Sequence, residues 1–411
     1  MTTIIASGIS KILTVARQSG LGTIATTGSG KNKRRVQSTL DLNKATYQSK
    51  EIRPSQQRSD FRHGVRNVAG TISGELSVGG YQEFMESICR QVVQTTITSG
   101  ALTDIVAAST GSNTATFTTT AGDFLTGNKF KIGMVIRASG FTTTAVNNNA
   151  INMVITGVTT KVLTCATLNG AALVSKTETG AVTFLEVGKH TYVPQTGQTR
   201  DYYTIEHWFA DIAQSEVFTD CVVTQMDVKL PASGMANVDF QMKGLNMQTS
   251  ASEYFVSPAA VPTGGVLASA NGVLYLQGVP VALVTSLNFS AKGGHTTVGG
   301  VVGSNVEPDI FPGDFVADGQ LTVLFIDNVA RDYFVNETEV SLFCVFTADN
   351  TATSAFTGFT FGRVKVGGAK KDDGEKGLVM TMPFTALENI NAGNSTTGFA
   401  TTLSIQDSAF A

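Results

Sequence analysis

The sequence predicts a mainly β protein: two tandem β-sandwich or half-barrel modules, each with a flanking helix, and a small β-domain inserted into the first. Three observations lead there. Short alternating runs of Thr, Val and other apolar residues, bounded by Gly or Asn, recur along the chain. A strand-and-helix stretch that starts at Gly70 returns without a gap at Gly319. Between the first helix and the next long strand-like run lie residues 95–200, rich in Thr and Asn and poor in charge.

The strand Gly70–Val78 places Ile72, Leu76 and Val78 on one face and Thr71, Ser73, Glu75 and Ser77 on the other, a sheet with one buried and one wet side. Gly79-Gly80 turns the chain into a helix from Tyr81 to about Val93. Tyr81, Phe84, Met85, Ile88, Cys89 and Val92 form its apolar stripe. In the second copy, Leu321 stands for Ile72, Phe325 for Leu76, and Tyr333-Phe334 for Phe84-Met85. A second echo aligns Val217–Leu230 with Ala355–Gly368, Phe218-Thr219 matching Phe356-Thr357. Within 95–200, the runs 129–140 and 150–166 read as strands of a small barrel or sandwich, with Asn147-Asn148-Asn149 as a turn. Asn271-Gly272 signals a hairpin, Asp372-Asp373-Gly374 a charged hairpin tip, and the tail after Asn389 an extended arm. The expected domains are 1–94 with 201–250, 95–200, and 251–411.

Composition limits what the protein does. Only 15% of 411 residues are charged while 42% are hydrophobic, so a sizeable core forms and little charge faces water. That shortage fits a surface that ends against partners, where charge is depleted. A net charge of −3 leaves no global field to gather nucleic acid. The longest uncharged stretch, Phe255 to Ala291, is broken by Pro and Gly and does not read as a membrane span. In the first 18 residues Lys11 and Arg17 fall inside and after the apolar part, unlike a signal peptide, so the chain is expected to stay where it is made. Cys89, Cys165, Cys221 and Cys344 are scattered without a CxxC pair and read as reduced, buried thiols.

No catalytic constellation stands out in the sequence, and no enzyme is expected. Gly28 to Arg35 glances at a phosphate-binding loop, but Ala25 and Asn32 occupy positions that need Gly and Ser or Thr. A solvated basic loop is the reading, with a partner contact as the alternative. His63, His190, His207 and His295 have no partner at zinc-ligand spacing. Glu206 and His207 are strand neighbours and point to opposite faces. Asp201, Glu206, Asp211 and Glu216 read as solvated or interfacial rather than as a catalytic pair. No cofactor or metal is expected.

The stretch from Ser49 to Arg90 is the most distinctive. With Glu51-Ile52-Arg53 and Arg58-Ser59-Asp60 before a Gly-rich strand and a helix, it resembles the tail tube proteins of long-tailed (siphovirus-type) phages. His207 to Gly244 is similar to a later part of that family. The resemblance implies modules that close into a six-module ring with an inner β-barrel, rings that stack into a tube around the tape measure protein, and DNA ejected through the lumen. Two modules per chain imply a homotrimeric, pseudo-sixfold ring; a true hexamer is the alternative. Further expected partners are tail terminator and distal tail proteins, and double-stranded DNA bound without sequence specificity. The expected location is the virion tail, and the host cytoplasm during assembly. Thr71, Ser73, Glu75, Ser77, Gln320 and Thr322 are the candidate lumen-facing residues of a weakly acidic channel. Glu51, Arg53, Arg58, Asp60, Lys31, Arg34 and Arg35 are candidates for contacts between subunits or rings. Phe84, Met85, Ile88, Tyr333 and Phe334 are the expected helix core, and residues 95–200 are expected to face outward. The alternative function is another self-assembling phage structural protein, of a baseplate or capsid decoration.

Overall fold

The computed structural model describes residues 5–111, 113–126, 130–281, 283–372, 377–389 and 398–411. The chain is mainly β, as expected. It begins with β1 (Lys11–Arg17), β2 (Lys31–Asn32), β3 (Gln37–Ser38), β4 (Asp41–Gln48), β5 (Phe61–Glu75) and helix α1 (Gln82–Cys89). Seven strands of a separate sheet follow: β6 (Val106–Ser109), β7 (Thr114–Thr118), β8 (Val135–Ser139), β9 (Met153–Val158), β10 (Val162–Thr167), β11 (Lys176–Thr177) and β12 (Thr183–Glu186). The chain then gives β13 (Lys189–Tyr192), β14 (Tyr203–Phe209), β15 (Gln214–Leu230), β16 (Asn237–Gly244) and β17 (Asn246–Ser250). Next are β18 (Gly272–Leu276), β19 (Val279–Pro280), β20 (Val284–Lys292), β21 (Thr296–Thr297), β22 (Ile310–Phe311), β23 (Val316–Leu324) and helix α2 (Val329–Val335). Last come β24 (Val340–Thr347), β25 (Phe356–Val366), β26 (Lys370–Lys371), β27 (Val379–Ala386) and β28 (Ser404–Asp407).

The organising feature is one antiparallel sheet in the order β4–β5–β16–β15–β20–β23–β27, ending at its far side in the end of β25 and in β26. A single row of paired residues crosses it: Ile72, Phe240, Met226, Ala291, Ala317, Ala386 and Val364. All are buried. One step along each strand the facing row is polar, because successive side chains alternate. Sheet strands that need one dry and one wet side produce this pattern.

A second layer packs on the dry side. β15 and β25 are long enough to serve both layers. The first half of β15 pairs with β14, which pairs with β1. The first half of β25 pairs with β24, which pairs with β18. The pairings correspond closely. Bulges fall between Tyr203 and Ile205 opposite β15, and between Val340 and Leu342 opposite β25. β2 meets β1 at Thr14 and Val15, and β19 meets β18 at Tyr275 and Leu276.

α1 closes the first half. Phe84, Met85 and Ile88 are buried, with Phe84 against Phe240 and Tyr203. The helix ends earlier than the stripe suggests, at Cys89. Arg90 takes φ 56° as its cap and donates to Gly293 O and Gly313 O, both at 2.7 Å. Val92, expected on the stripe, is therefore exposed. The second helix departs further. α2 has no buried residue: Tyr333 is half-buried against the core and Phe334 is 42% exposed, so Phe334 is not a core residue.

The seven-stranded sheet lies within 95–200 and holds its own core around Phe117, Phe124, Phe130 and Phe184. Asn149 makes the expected turn, bonding Phe141 through its side chain. Three further readings are corrected. The hairpin turn is at Gln277-Gly278, φ 52° and 75°, while Asn271 ends a 3₁₀ turn that leads into β18. The second echo is slipped by five residues, because bulge and pairing set Phe361, not Phe356, where Phe218 stands. The tail is no arm. β28 is buried between β13 and β25, and Gln406 donates to Val135 O and Val187 O of the seven-stranded unit. The Asp373-Gly374 tip and residues 390–397 lie outside the described residues.

Candidate assembly surfaces

The polar face of the large sheet is a network. Its central row runs Ser73, Asp239, Asp227, Ser290, Asp318, Thr385 and Lys365. Lys229 donates to Asp239 at 2.8 Å, Lys292 to Asp318 at 2.8 Å, and Gln225 and Ser290 to Asp227. Burial raises the Asp239 carboxyl, but bonds from Lys229 and Ser73 outweigh it and hold the group below its ordinary value. Of the expected lumen residues, Thr71, Ser73, Glu75, Gln320 and Thr322 share this face, exposed or half-buried. Ser77 does not: it is 1% exposed, covered by Val266, which bridges to it. The face is not simply acidic either. Asp227, Asp239, Asp318 and Glu75 stand among Lys229, Lys292 and Lys365. Sequence reading missed these lysines because it looked only at β5 and β23; the alternation in Asp227-Val228-Lys229 was the available signal.

The sheet stops at two free edges. Among the described residues β4 pairs only with β5, and β26 only with β27. Thr39 donates its N–H to Thr71 O, so by alternation the N–H groups of Leu42 and Lys44 point outward. Between the halves, β15 and β20 show how such edges join, from Gln225 opposite Lys292 to Leu230 opposite Leu287.

β4 and β5 continue past the core as a hairpin whose outer residues are exposed on both faces. At its tip Glu51 pairs with Arg53 and Asp60 with Arg62, each at 2.8 Å, and Ile52 is 98% exposed. Arg58 is exposed nearby. The basic stretch 31–35 behaves otherwise than expected. Lys31 and the buried Lys33 both reach Glu83 on α1, and Arg35 donates to Gly8 O and Lys11 O. Arg34 is half-buried, its carbonyl accepting from Tyr81. This is a clasp on the helix, not a solvated loop.

The ionisable groups around β14 are engaged within the fold. Ser38 Oγ lies 2.7 Å from His207 Nε2, and Glu216 3.7 Å from Nδ1, but Ser38 and His207 are buried and burial lowers the imidazole below its ordinary value. Glu206 accepts from Ser215 and from the N–H groups of Tyr254 and Phe255. Asp201 sits 3.5 Å from Arg17, and burial raises it. Asp211 accepts from Ser7 N. All four cysteines are free and buried. Among the described residues no three His, Cys, Asp or Glu side chains converge as a metal site, and no helix is long and apolar enough to cross a membrane.

Two carboxylates give the fold opposite pH responses. Burial pushes Glu83 up, but Lys33 and Lys31 overcome it and hold the group at about 2. Its stabilisation is complete above pH 4.5 and fades as pH falls toward 2. Burial raises Asp407 to about 6, against bonds from Thr357, Ala409 N and Gly79 N. That group favours the fold when protonated, so its contribution is lost as pH rises from about 4 through 6. Glu83→Gln is expected to cost about 2–3 kcal/mol at pH 7, with the gap from the parent shrinking at pH 3. Denaturant titrations at the two pH values measure it; an equal gap at both would remove Glu83 as the acid-sensitive group.

A polar sheet face between two edges that are unpaired among the described residues defines a sheet-forming β protein. The chain matches the phage tail tube protein family over residues 8–392, and it belongs to that family. It is a structural component of the phage tail, of the kind that assembles with itself into a tube. No curated protein matches it.

Proposed function

We propose that the chain carries two tandem tail-tube modules, 1–94 with 201–250 and 251–411, and that three copies close a pseudo-sixfold ring. The observation that carries this is the pair of free edges flanking a sheet whose interior junction, β15 on β20, already joins the two halves. In the ring, the β25–β26 edge of one copy takes β4 of the next as β15 takes β20. Closure leaves no edge strand exposed. The polar face becomes the lumen, where paired Asp and Lys offer a passing duplex neither strong attraction nor uniform repulsion. The exposed β4–β5 hairpin, with Glu51, Arg53, Arg58 and Asp60, reaches the adjacent ring. The 95–200 unit faces outward. The tube surrounds the tape measure protein, meets terminator and distal tail proteins at its ends, forms in the host cytoplasm, and conducts DNA at ejection in a siphovirus-type virion.

Negative-stain electron microscopy of the purified protein tests the reading. Hollow rings or tubes with three outer lobes are expected. Six equal lobes would keep the tube and overturn the trimer. Monomers at high concentration would overturn ring formation itself.

A further inference from the structure

One of the differences between the two halves points to a partner. In the first half, residues 264–268 lie along the end of β5 as a short added strand. Leu267 N donates to Leu76 O at 2.8 Å, Ala236 N to Leu267 O at 2.9 Å, and Val78 N to Gly265 O at 3.1 Å. Leu267 is fully buried in the core, and Val266 bridges Ser77. These residues precede β18, so they belong to the start of the second half yet complete the first.

The corresponding place in the second half is open. Phe325 N donates to Leu378 O, as Leu76 N does to Ala236 O, so the receiving backbone is in position. Among the described residues nothing lies where 264–268 would. An apolar groove of about 290 Å³ remains, lined by Val323, Ile326, Val329, Tyr333, Met380 and Met382. Ile326 and Val329 are 68% and 54% exposed, and α2 above it buries no residue. Added hydrophobic contact is what this helix lacks.

We propose that residues 5–7 of a neighbouring copy fill this groove, as an added strand that latches one chain to the next. This rests on the ring reading above. The sequence names the occupant. Ile5-Ala6-Ser7 stands directly before the 3₁₀ turn Gly8–Ser10 that opens β1, as Val266-Leu267-Ala268 stands directly before the turn Ser269–Asn271 that opens β18. The segment before the second half completes the first half; in a ring, the segment before the next copy's first half completes the second. Ile5 is 84% exposed in the single chain, which is costly for an aliphatic side chain with a vacant slot of its size available. Ala6 takes the place of Leu267, and Ile5 stands opposite Ile326 as Val266 stands opposite Ser77. The bonds flanking that last pair make it the close, non-hydrogen-bonded kind, whose spacing accommodates a disulfide.

The test is the double variant Ile5→Cys with Ile326→Cys, oxidised with copper phenanthroline under conditions in which the parent forms rings. The four native cysteines are buried, so background is low. Covalent dimers and trimers on non-reducing gels, absent from each single variant, are the expected result. Rings by microscopy without cross-links, in this pair and in Ala6→Cys with Ile326→Cys, would overturn the latch and leave the ring intact. A parent that forms no rings would overturn both. Ile5→Asp separately is expected to raise the concentration needed for ring formation by roughly tenfold or more, with thermal stability unchanged; ring formation at the parent concentration would count against the latch.

Discussion

Replacing Gly70 with valine is expected to destabilise the fold by about 3–5 kcal/mol and to lower the apparent melting temperature by roughly 5–10 °C. A Cβ at Gly70 would lie 2.6 Å from Leu40 Cα, from Leu40 N and from the Thr39 carbonyl carbon. All three are backbone atoms of the segment that pairs with β5, so no rotamer change relieves the overlap. The competing effect is small: a glycine in a strand costs about 0.5–1 kcal/mol in chain entropy relative to alanine. Overlap wins, and even Gly70→Ala is expected to destabilise. Gly319 provides the comparison. A Cβ there meets Asn288 O at 2.5 Å and the Phe384 ring tip at 2.6 Å. One of those contacts is the end of a side chain that can shift, so Gly319→Ala is expected to cost less than Gly70→Ala. Thermal denaturation of the two alanine variants checks the order. Equal melting temperatures for Gly70→Ala and the parent would mean that β4 can move away from β5 freely.

Those two glycines also show what the sequence makes legible. Gly70 and Gly319 align in the repeat because each lies where a neighbouring strand crowds the backbone, a local demand that a local pattern can record. The alternation of Ile72 and Leu76 with Thr71 and Ser73 likewise reports the two sides of the sheet. Features set by distant partners are not recorded in this way. Arg90 caps α1 in the left-handed region while its guanidinium reaches the Gly293 and Gly313 carbonyls, and nothing around residue 90 announces those partners. β28 reads as polar tail, yet Ser404, Gln406 and Asp407 are buried, since their polar atoms are met by β13, β25 and the seven-stranded unit. The slip in the second echo has a similar cause. Runs of Phe, Thr and Val match one another at several offsets, and only the bulge opposite Phe218 and Phe361 fixes the register. The assembly surfaces were half legible for the same reason: Thr71, Ser73 and Glu75 follow from alternation, whereas Lys229 and Lys292 join that face only through pairing.

Lys44→Pro is expected to leave the single chain folded and to prevent ring closure. Lys44 is exposed on β4, and its N–H points away from β5. Proline there removes a donor that the isolated chain does not use, and sets its ring where a neighbouring strand must approach. Within the chain, the corresponding outward donor of the β15–β20 junction is Gly293 N, which bonds Thr224 O at 2.9 Å. The loss should therefore fall on the contact between copies, at roughly 3 kcal/mol per junction, or more than a hundredfold in its association constant. A ring closes only when every junction forms, so the effect repeats around it. Melting temperature and sedimentation at matched concentrations separate the alternatives. An unchanged melting temperature with a monomeric peak places the β4 edge at the joint between copies. Rings of normal size would show that β4 is left free in the assembly and that closure uses another surface. A large fall in melting temperature would mean that the N–H of Lys44 serves the chain itself, which the direction of the neighbouring Thr39 bond argues against.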